Sequence, residues 1–427
     1  MIKRCLLAFL LVVTTATAWG QEHCGTPALL QMLLPEQRRH APGGDLFEAA
    51  MQQAVTNARV QGPGCDTGQI IRVPVVFHII HQGEALGSGS NLPDVRIQEQ
   101  MEQINQDFRR KAATPGFNTD PRGADTRIEF YLACQNPTGQ PSTGILRLKG
   151  YKNLFSLADN DSLKNLSLWP TNQYLNIWVC NLSGFLGYGS FPVTDLPMNG
   201  TPIYSRPDGV VLGYKNVGIS TFSRFYNGGR TLTHELGHVF GLIHIWGDGD
   251  CSATDFCTDT PPQANALSRC PTLATDTTDL QCQGQGPIMY RNYMGYVYDR
   301  CMNVFTKNQT DRMRYVLCNT PARDSLRRLQ PCITGIKPVV PITLVFKNHP
   351  NPSGLLTFIY TDSGLATVEI TSVTGKQVGR YELQVVSGED NTINIRTLAS
   401  GLYAARFTLN GRTTQKRILV GTTYIDR

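Results

Sequence analysis

The sequence predicts an α+β domain followed by a small all-β sandwich. Runs dense in Val and Ile alternate with segments whose apolar residues recur every three to four positions, which predicts the first part. Residues 343–427 change character, which predicts the second. Cysteine disappears there, and short β-type runs alternate with turn signals at Leu355–Tyr360, Thr367–Ile370, Thr392–Ile395, Leu402–Thr408 and Thr414–Val420. A length of 427 residues suggests two or three domains, and 41% hydrophobic residues suffice for a large core. The formal net charge of +6 is spread along the chain, without the basic cluster that nucleic-acid binding needs.

Residues 1–20 read as a signal peptide. Lys3 and Arg4 form the charged start and Cys5 to Val13 the apolar run. Ala16-Thr17-Ala18, or Ala18-Trp19-Gly20, offers a small-residue cleavage site. The apolar run is too short to span a bilayer, which takes about 20 residues. No later segment is long enough, so an exported chain without a transmembrane segment is expected. Export permits disulfides. Of twelve cysteines, Cys5 goes with the leader and eleven remain, so at least one stays unpaired. Residues 21–68 form a separate short segment. Its breakers, Gly43-Gly44 and Gly62-Pro63-Gly64, bound a helix from Asp45 to Val60, capped by Asp45 with Glu48 three later.

Ile70 to Ile80 reads as a strand buried on both faces, with His78 and His81 at its end in structural roles. Asp94 to Lys111 is a helix whose face of Ile97, Met101, Ile104 and Phe108 belongs to the core. Arg127 to Cys134 alternates as a strand, followed by strands at Tyr174 to Leu182 and Gly209 to Gly213. A helix starts near Arg230, with Thr231 as its candidate cap. After His244 the chain is loop-like up to Met289. A loop of that length needs staples, which disulfides and bound cations supply. Thr306 to Thr320 is a closing helix with Thr306 and Gln309 set as a capping box. Pro331, Pro338 and Pro341 mark a linker at residues 333–342.

The chemistry is concentrated in His234-Glu235-Leu236-Gly237-His238-Val239-Phe240-Gly241-Leu242-Ile243-His244. Two histidines four apart on a helix point the same way, so their ring nitrogens can share one metal. Gly241 lets the helix end in a left-handed turn, and the chain can then swing His244 back as a third ligand. Three protein ligands and a fourth position for water make the catalytic form of a zinc site. Glu235 stands close enough to reach that water without coordinating. The chain holds 40 Gly and 8 His, so demanding one of each at fixed positions cuts chance matches to a bare HExxH by roughly 500-fold.

Asn292-Tyr293-Met294-Gly295-Tyr296 supplies a candidate Met-turn downstream, which with the histidine motif marks the metzincin clan. The Cys-rich loop, the phrase Asp259-Thr260-Pro261, and the upstream phrases Leu175-Asn176-Ile177-Trp178-Val179, Gly187-Tyr188 and Asp208-Gly209-Val210-Val211 narrow it. From about Ile70 to Cys318 the chain resembles the pappalysin family, its bacterial members above all. The resemblance implies a twisted mixed sheet with an active-site helix, in a catalytic domain at residues 69–332. Gly184 to Pro192 would be the sheet's edge above the cleft, where an extended substrate can pair. It implies a secreted zinc endopeptidase that cuts proteins with a zinc-activated water and Glu235 as general base. Met294 would form the floor under the metal, and Tyr296 would bond the tetrahedral intermediate. It further implies disulfides Cys251–Cys282 and Cys270–Cys301, leaving Cys257 without a partner. A structural calcium site would use Asp255 and Thr260, though both also suit solvated turns.

Residues 21–68 would be a prosegment that makes the chain a zymogen. Cys24 then stands where a zinc-blocking thiolate is expected, with a Cys24–Cys65 disulfide as the alternative. Family members select arginine after the scissile bond with an acidic residue just ahead of the cysteine at position 301. Here Arg300 takes that place with Asp299 beside it. The expectation is that Arg300 points into the pocket and repels a substrate arginine. A shift by one residue would substitute Asp299, and a solvent-facing Arg300 would be neutral.

Asn348-His349-Pro350-Asn351-Pro352, Thr374-Gly375-Lys376 and Leu398-Ala399-Ser400-Gly401-Leu402-Tyr403 resemble the C-terminal sorting domain of type IX secretion substrates. That resemblance implies a diderm bacterium, the type IX machinery as partner, and delivery through the periplasm to the outer surface or the medium. The alternative is a carbohydrate- or protein-binding β module. Two other readings of the whole chain stay open here: an inactive protease fold that binds proteins at the surface, which the intact Glu235 disfavours, and another zinc amide hydrolase.

Overall fold

The computed structural model describes residues 22–56, 68–192 and 207–328, and in the C-terminal part 344–346, 355–360, 364–372, 376–386, 389–409 and 412–420. The signal peptide, Cys65 and the 333–342 linker lie outside these. The chain divides into two units, Met1–Cys332 and Ile333–Arg427.

The first unit opens with a short strand β1 (Glu22–Cys24) and the helices α1 (Thr26–Gln31), α2 (Pro35–Arg39) and α3 (Asp45–Thr56). Asp45 does not cap α3. It pairs with Arg39 through two hydrogen bonds of 2.9 and 2.8 Å. Glu48 instead accepts from the Gly43 amide at 2.8 Å and binds Arg312 with both oxygens. A guanidinium offers a carboxylate a stronger match than a helix-end amide does.

The sheet follows. Its central strand β2 (Ile71–His81) is buried along nearly its whole length, as its Val/Ile density requires. α4 (Asp94–Phe108) lays Ile97, Met101, Ile104 and Phe108 into the core. It stops short of Lys111 because Arg110 turns left-handed at φ +43°. β3 (Ile128–Leu132) and β4 (Ile145–Lys149) both pair parallel with β2. A short helix α5 (Asn160–Lys164) leads to β5 (Leu175–Cys180), β6 (Phe185–Gly189) and β7 (Val210–Gly213). Strand order is β1-β6-β7-β5-β2-β3, with β4 also on β2. β6 runs antiparallel to β7, so the sheet is mixed. β6 lies next to the end of the sheet, and β1 covers its outer side in parallel register.

α6 (Arg230–Val239) packs across β6 and β7, and α7 (Lys307–Asn319) and α8 (Pro321–Asp324) close the unit. Thr306 caps α7 through its hydroxyl, with Gln309 completing the box. His78 is structural: fully buried, it bonds Asn176 at 2.9 Å and stacks on Trp178.

The second unit holds strands β8 (Leu344–Phe346) through β9 (Leu355–Tyr360), β10 (Gly364–Ser372), β11 (Gln377–Val385), β12 (Asp390–Asn394), β13 (Gly401–Leu409) and β14 (Arg412–Val420). Two antiparallel sheets, β11-β10-β13-β14 and β12-β9-β8, share one core of Leu356, Phe358, Val368, Ile370 and Phe407. That is a sandwich. The sequence reading missed β11, whose side chains alternate between exposed and half-buried and carry no apolar run.

The core of the first unit turns on Phe108, fully buried with ring centroids of Phe130 and Phe305 each 4.9 Å away. Phe108→Ala should cost about 3–5 kcal/mol of stability. Thermal unfolding followed by circular dichroism should show the first unit melting earlier; an unchanged transition would contradict this packing.

Candidate metal centre

α6, which carries His234, Glu235 and His238, begins without a cap of its own. Gly229 takes φ +74°, and Thr231 does not cap, contrary to the sequence reading. The carboxylate of Asp299 does the work from a distant loop, accepting from the Gly228 and Arg230 amides at 2.7 and 3.2 Å. Gly241, at φ +89°, ends the helical run; a Cβ there would stand 2.8 Å from Val316. The turn that follows brings His244 back over the helix. A Cβ on Gly237 would run into the Met294 sulfur, so the Met-turn can press directly against the helix. Met294 is fully buried, its sulfur packed on Gly237 between the first two histidines in sequence.

The three Nε2 atoms converge. His234 and His238 are 3.2 Å apart, and His244 is 3.3 Å from each. A tetrahedral metal with bonds of about 2.0–2.1 Å holds its ligands about 3.3 Å apart, so the triangle fits zinc. Each Nδ1 faces an acceptor: the Tyr293 carbonyl at 2.7 Å, the Leu242 carbonyl at 2.8 Å and the Asp248 carboxylate at 2.5 Å. These acceptors keep the proton on Nδ1 and leave each Nε2 lone pair for a metal. Burial, with neighbouring His244, pushes the His234 pKa down to about 3 and keeps the ring neutral.

Glu235 is fully buried beside this triangle. One carboxylate oxygen accepts from the Thr26 hydroxyl at 2.8 Å; the other has no hydrogen-bond partner among the described residues. Burial pushes its pKa up to about 8. Cys24 is a buried free thiol, and Cys65, its alternative partner, lies outside the described residues. Its sulfur lies 3.4 Å from His238 Nε2, close to the roughly 3.6 Å that separates sulfur and nitrogen ligands of one zinc. Donor atoms of Cys24, His234, His238 and His244 all lie within 4.8 Å of one another.

Next to the histidines is a small cleft, lined among others by Glu235, Tyr296, Arg230 and Asp299. His23 and Tyr226 line it too. The His23 ring stacks on Tyr296 at 4.8 Å and bonds the Tyr226 hydroxyl. Tyr296 also lies 4.8 Å from the His244 ring centroid. Asp299 lines this cavity, with a pKa pushed up to about 6 by burial. Arg300 does not. It is exposed, its guanidinium 5.4 Å over the Tyr298 ring. The expectation for Arg300 is thereby corrected: Asp299 must face inward to serve the helix amides, which turns the next side chain outward. Asp255 and Thr260 are buried and bond each other at 2.7 Å. Disulfides Cys251–Cys282 and Cys270–Cys301 staple the long loop, with Cα separations of 5.6 and 6.0 Å.

The sequence profile of the pregnancy-associated plasma protein-A peptidases matches residues 158–318. An extracellular metalloprotease of Arthroderma otae is 31% identical over 251 residues, which span 57% of this chain and 76% of that protein. This chain belongs to the pappalysin family. It is a zinc metalloendopeptidase. Among solved pappalysins, a promirolysin mutant from Tannerella forsythia is 32% identical over 72% of this chain and 97% of that one, with a TM-score of 0.59. Mature mirolysin of the same organism, in complex with a cleaved peptide, is 37% identical over 61% of this chain and 97% of that one, with a TM-score of 0.53. The secretion system C-terminal sorting domain profile matches residues 347–421, so this pappalysin carries the tag that directs type IX export to the cell surface or beyond.

Sequence reasoning missed Thr26, His23, Tyr226 and Asp248. Thr26 and His23 flank Cys24 and were within reach of a closer reading of that phrase. Tyr226 carries no local signal. Asp248 lies four residues past the third histidine, a spacing that offers a carboxylate to its ring.

Proposed function

We propose that this pappalysin hydrolyses peptide bonds with Glu235 as general base, and that residues 21–68 hold it latent. The observation that carries the first statement is the Nε2 triangle, with sides of 3.2–3.3 Å, next to a buried carboxylate that keeps one oxygen unpartnered. His234, His238 and His244 hold the metal. When bound, zinc polarises the scissile carbonyl and lowers the pKa of water towards about 7. The chain's residues do the rest. Glu235 takes a proton from the attacking water and returns it to the leaving nitrogen. The Tyr296 hydroxyl donates to the developing oxyanion. The polypeptide substrate lies along β6, whose backbone groups position it.

Latency is supported by the way residues 22–26 occupy the same groups. The Gly25 amide bonds the Gly187 carbonyl at 2.9 Å and the Gly189 amide bonds the Thr26 hydroxyl at 2.8 Å, filling the edge. Cys24 takes the fourth ligand position, Thr26 ties down Glu235, and His23 covers Tyr296. Glu48 anchors the segment on Arg312 through bonds of 2.7 and 2.5 Å. The promirolysin likeness supports a zymogen as well. We place the catalytic domain at 69–332, the linker at 333–342 and the sorting domain at 343–427, which the division between Cys332 and Ile333 supports. Asp255 and Thr260 are proposed as oxygen donors for calcium; burial pushes the Asp255 pKa up to about 7, a cost that a cation would offset.

Asp299 is proposed to select a basic side chain after the scissile bond, because it is a carboxylate that lines the cavity and, unlike Glu235, is not assigned to the reaction itself. Arginine is favoured for its planar fork.

Three outcomes test these readings. Glu235→Ala should keep zinc and fold while casein digestion falls by about 10²–10⁴-fold or more; digestion at the wild-type rate would end the base assignment. The Cys24→Ala zymogen should mature faster than wild type when followed by gel, and equal rates would remove Cys24 from latency. Peptide-library profiling of the mature enzyme should show arginine dominant after the cleaved bond, with Asp299→Asn lowering kcat/KM for arginine over leucine by about 10–100-fold. The same ratio should fall below about pH 6, where the Asp299 carboxyl gains its proton. A profile without arginine, or a ratio indifferent to both changes, refutes this role.

A further inference from the structure

The three zinc ligands are not held alike. His234 and His238 sit on one turn of α6 and hand their Nδ1 protons to backbone carbonyls. His244 has left the helix and stands on a turn. Its Nδ1 faces a carboxylate oxygen of Asp248 at 2.5 Å, and the Trp246 ring lies flat against it, centroids 4.3 Å apart and planes 4° from parallel. Asp248 takes φ +54°, a left-handed conformation that side chains with a Cβ rarely adopt. The preceding Gly247, at φ +62°, closes the turn through its amide on the His244 carbonyl at 2.8 Å. An unfavourable backbone angle persists where surrounding contacts require it. Here it is what turns the carboxylate back onto the ring.

We infer that Asp248 is a positioning residue for the third zinc ligand. It fixes the His244 tautomer with the proton on Nδ1, aims Nε2 at the metal and strengthens it as a donor. Trp246 keeps the ring in plane. The inference rests on the reading that His244 binds zinc. The helix supplies this service to the first two histidines through its own neighbourhood; the third, delivered by a turn, needs a dedicated side chain. The charge also compensates an imidazole that carries part of the metal's charge when bound.

The test uses the full chain in the Glu235→Ala background, so that self-cleavage does not interfere, after Cys24→Ala removes the thiolate ligand. Zinc affinity is measured by chelator competition. Asp248→Gly keeps the left-handed backbone and deletes the carboxylate; it should weaken zinc binding about 10–100-fold. Asp248→Asn keeps the shape and removes the charge, and should fall between it and the parent. Asp250→Asn is the control, since the Asp250 carboxylate bonds Ser252 in the same loop and should leave affinity unchanged. Thermal melting of the zinc-free proteins should match the parent, which a merely structural role would not allow. Cobalt in place of zinc should show an altered visible band in Asp248→Gly. Parent-like affinity in both Asp248 variants, or an equal loss in Asp250→Asn, overturns the inference. If His244→Ala keeps parent affinity, the ligand reading itself has failed; if it loses zinc while the Asp248 variants do not, only the positioning role has.

Discussion

Three imidazole nitrogens must meet at one point, and the fold is arranged to satisfy that demand. One helix turn settles two of them. The helix itself is held by a buried ionic network. Asp107 of α4 accepts from Thr233 at 2.8 Å and from the Tyr293 hydroxyl at 2.8 Å, and pairs with Arg230. Arg230 in turn donates to the Asp299 carbonyl at 2.6 Å. The Tyr293 carbonyl then receives the His234 ring. One carboxylate thus ties α4, the active-site helix and the Met-turn together. Breaking such a buried pair by removing one partner costs about 3–5 kcal/mol, because the other charge is left without compensation.

The same geometry underlies the latency proposed for residues 21–68. A substrate needs an edge strand, a free metal position, an unoccupied base and an open side-chain cavity. In the proposed latent form residues 23–26 lie against all four: β6, the histidine triangle, Glu235 and Tyr296. β1 runs parallel to β6, and its Cys24 sits opposite Gly187 in the register. The glycines of β6 have a structural reason beyond substrate access. At Gly189 a Cβ would stand 2.8 Å from the Glu235 carbonyl, so the active-site helix lies directly on the strand. Close helix-to-strand contact buries Glu235, and burial raises its proton affinity.

Much of this was legible in the sequence because it is local. The spacing of His234, His238 and His244, the glycine at 241, the Thr306–Gln309 box and the apolar face of α4 are statements about a few consecutive turns, and periodicity encodes them directly. The disulfides Cys251–Cys282 and Cys270–Cys301 came through family likeness, since connectivity has no local signature. What failed was of one kind. Thr231 and Asp45 looked like caps because cap residues are recognised by type, yet both positions were settled by partners far away in sequence, Asp299 and Arg39. Arg300 was placed by counting back from Cys301, and counting does not register which of two adjacent side chains a distant helix has claimed.

The sequence by itself determined the metal and the reaction class, because both depend on residue types at fixed short spacings; the export route came through likeness to a sorting domain. Only the tertiary structure decided that Asp299 rather than Arg300 faces the cavity, that Thr26 rests on Glu235, and that Asp248 holds His244. The physical reason is the same in each case. A carboxylate or hydroxyl goes to whichever donor the packed chain brings nearest, and that neighbour can stand 209 residues away, as Thr26 does from Glu235.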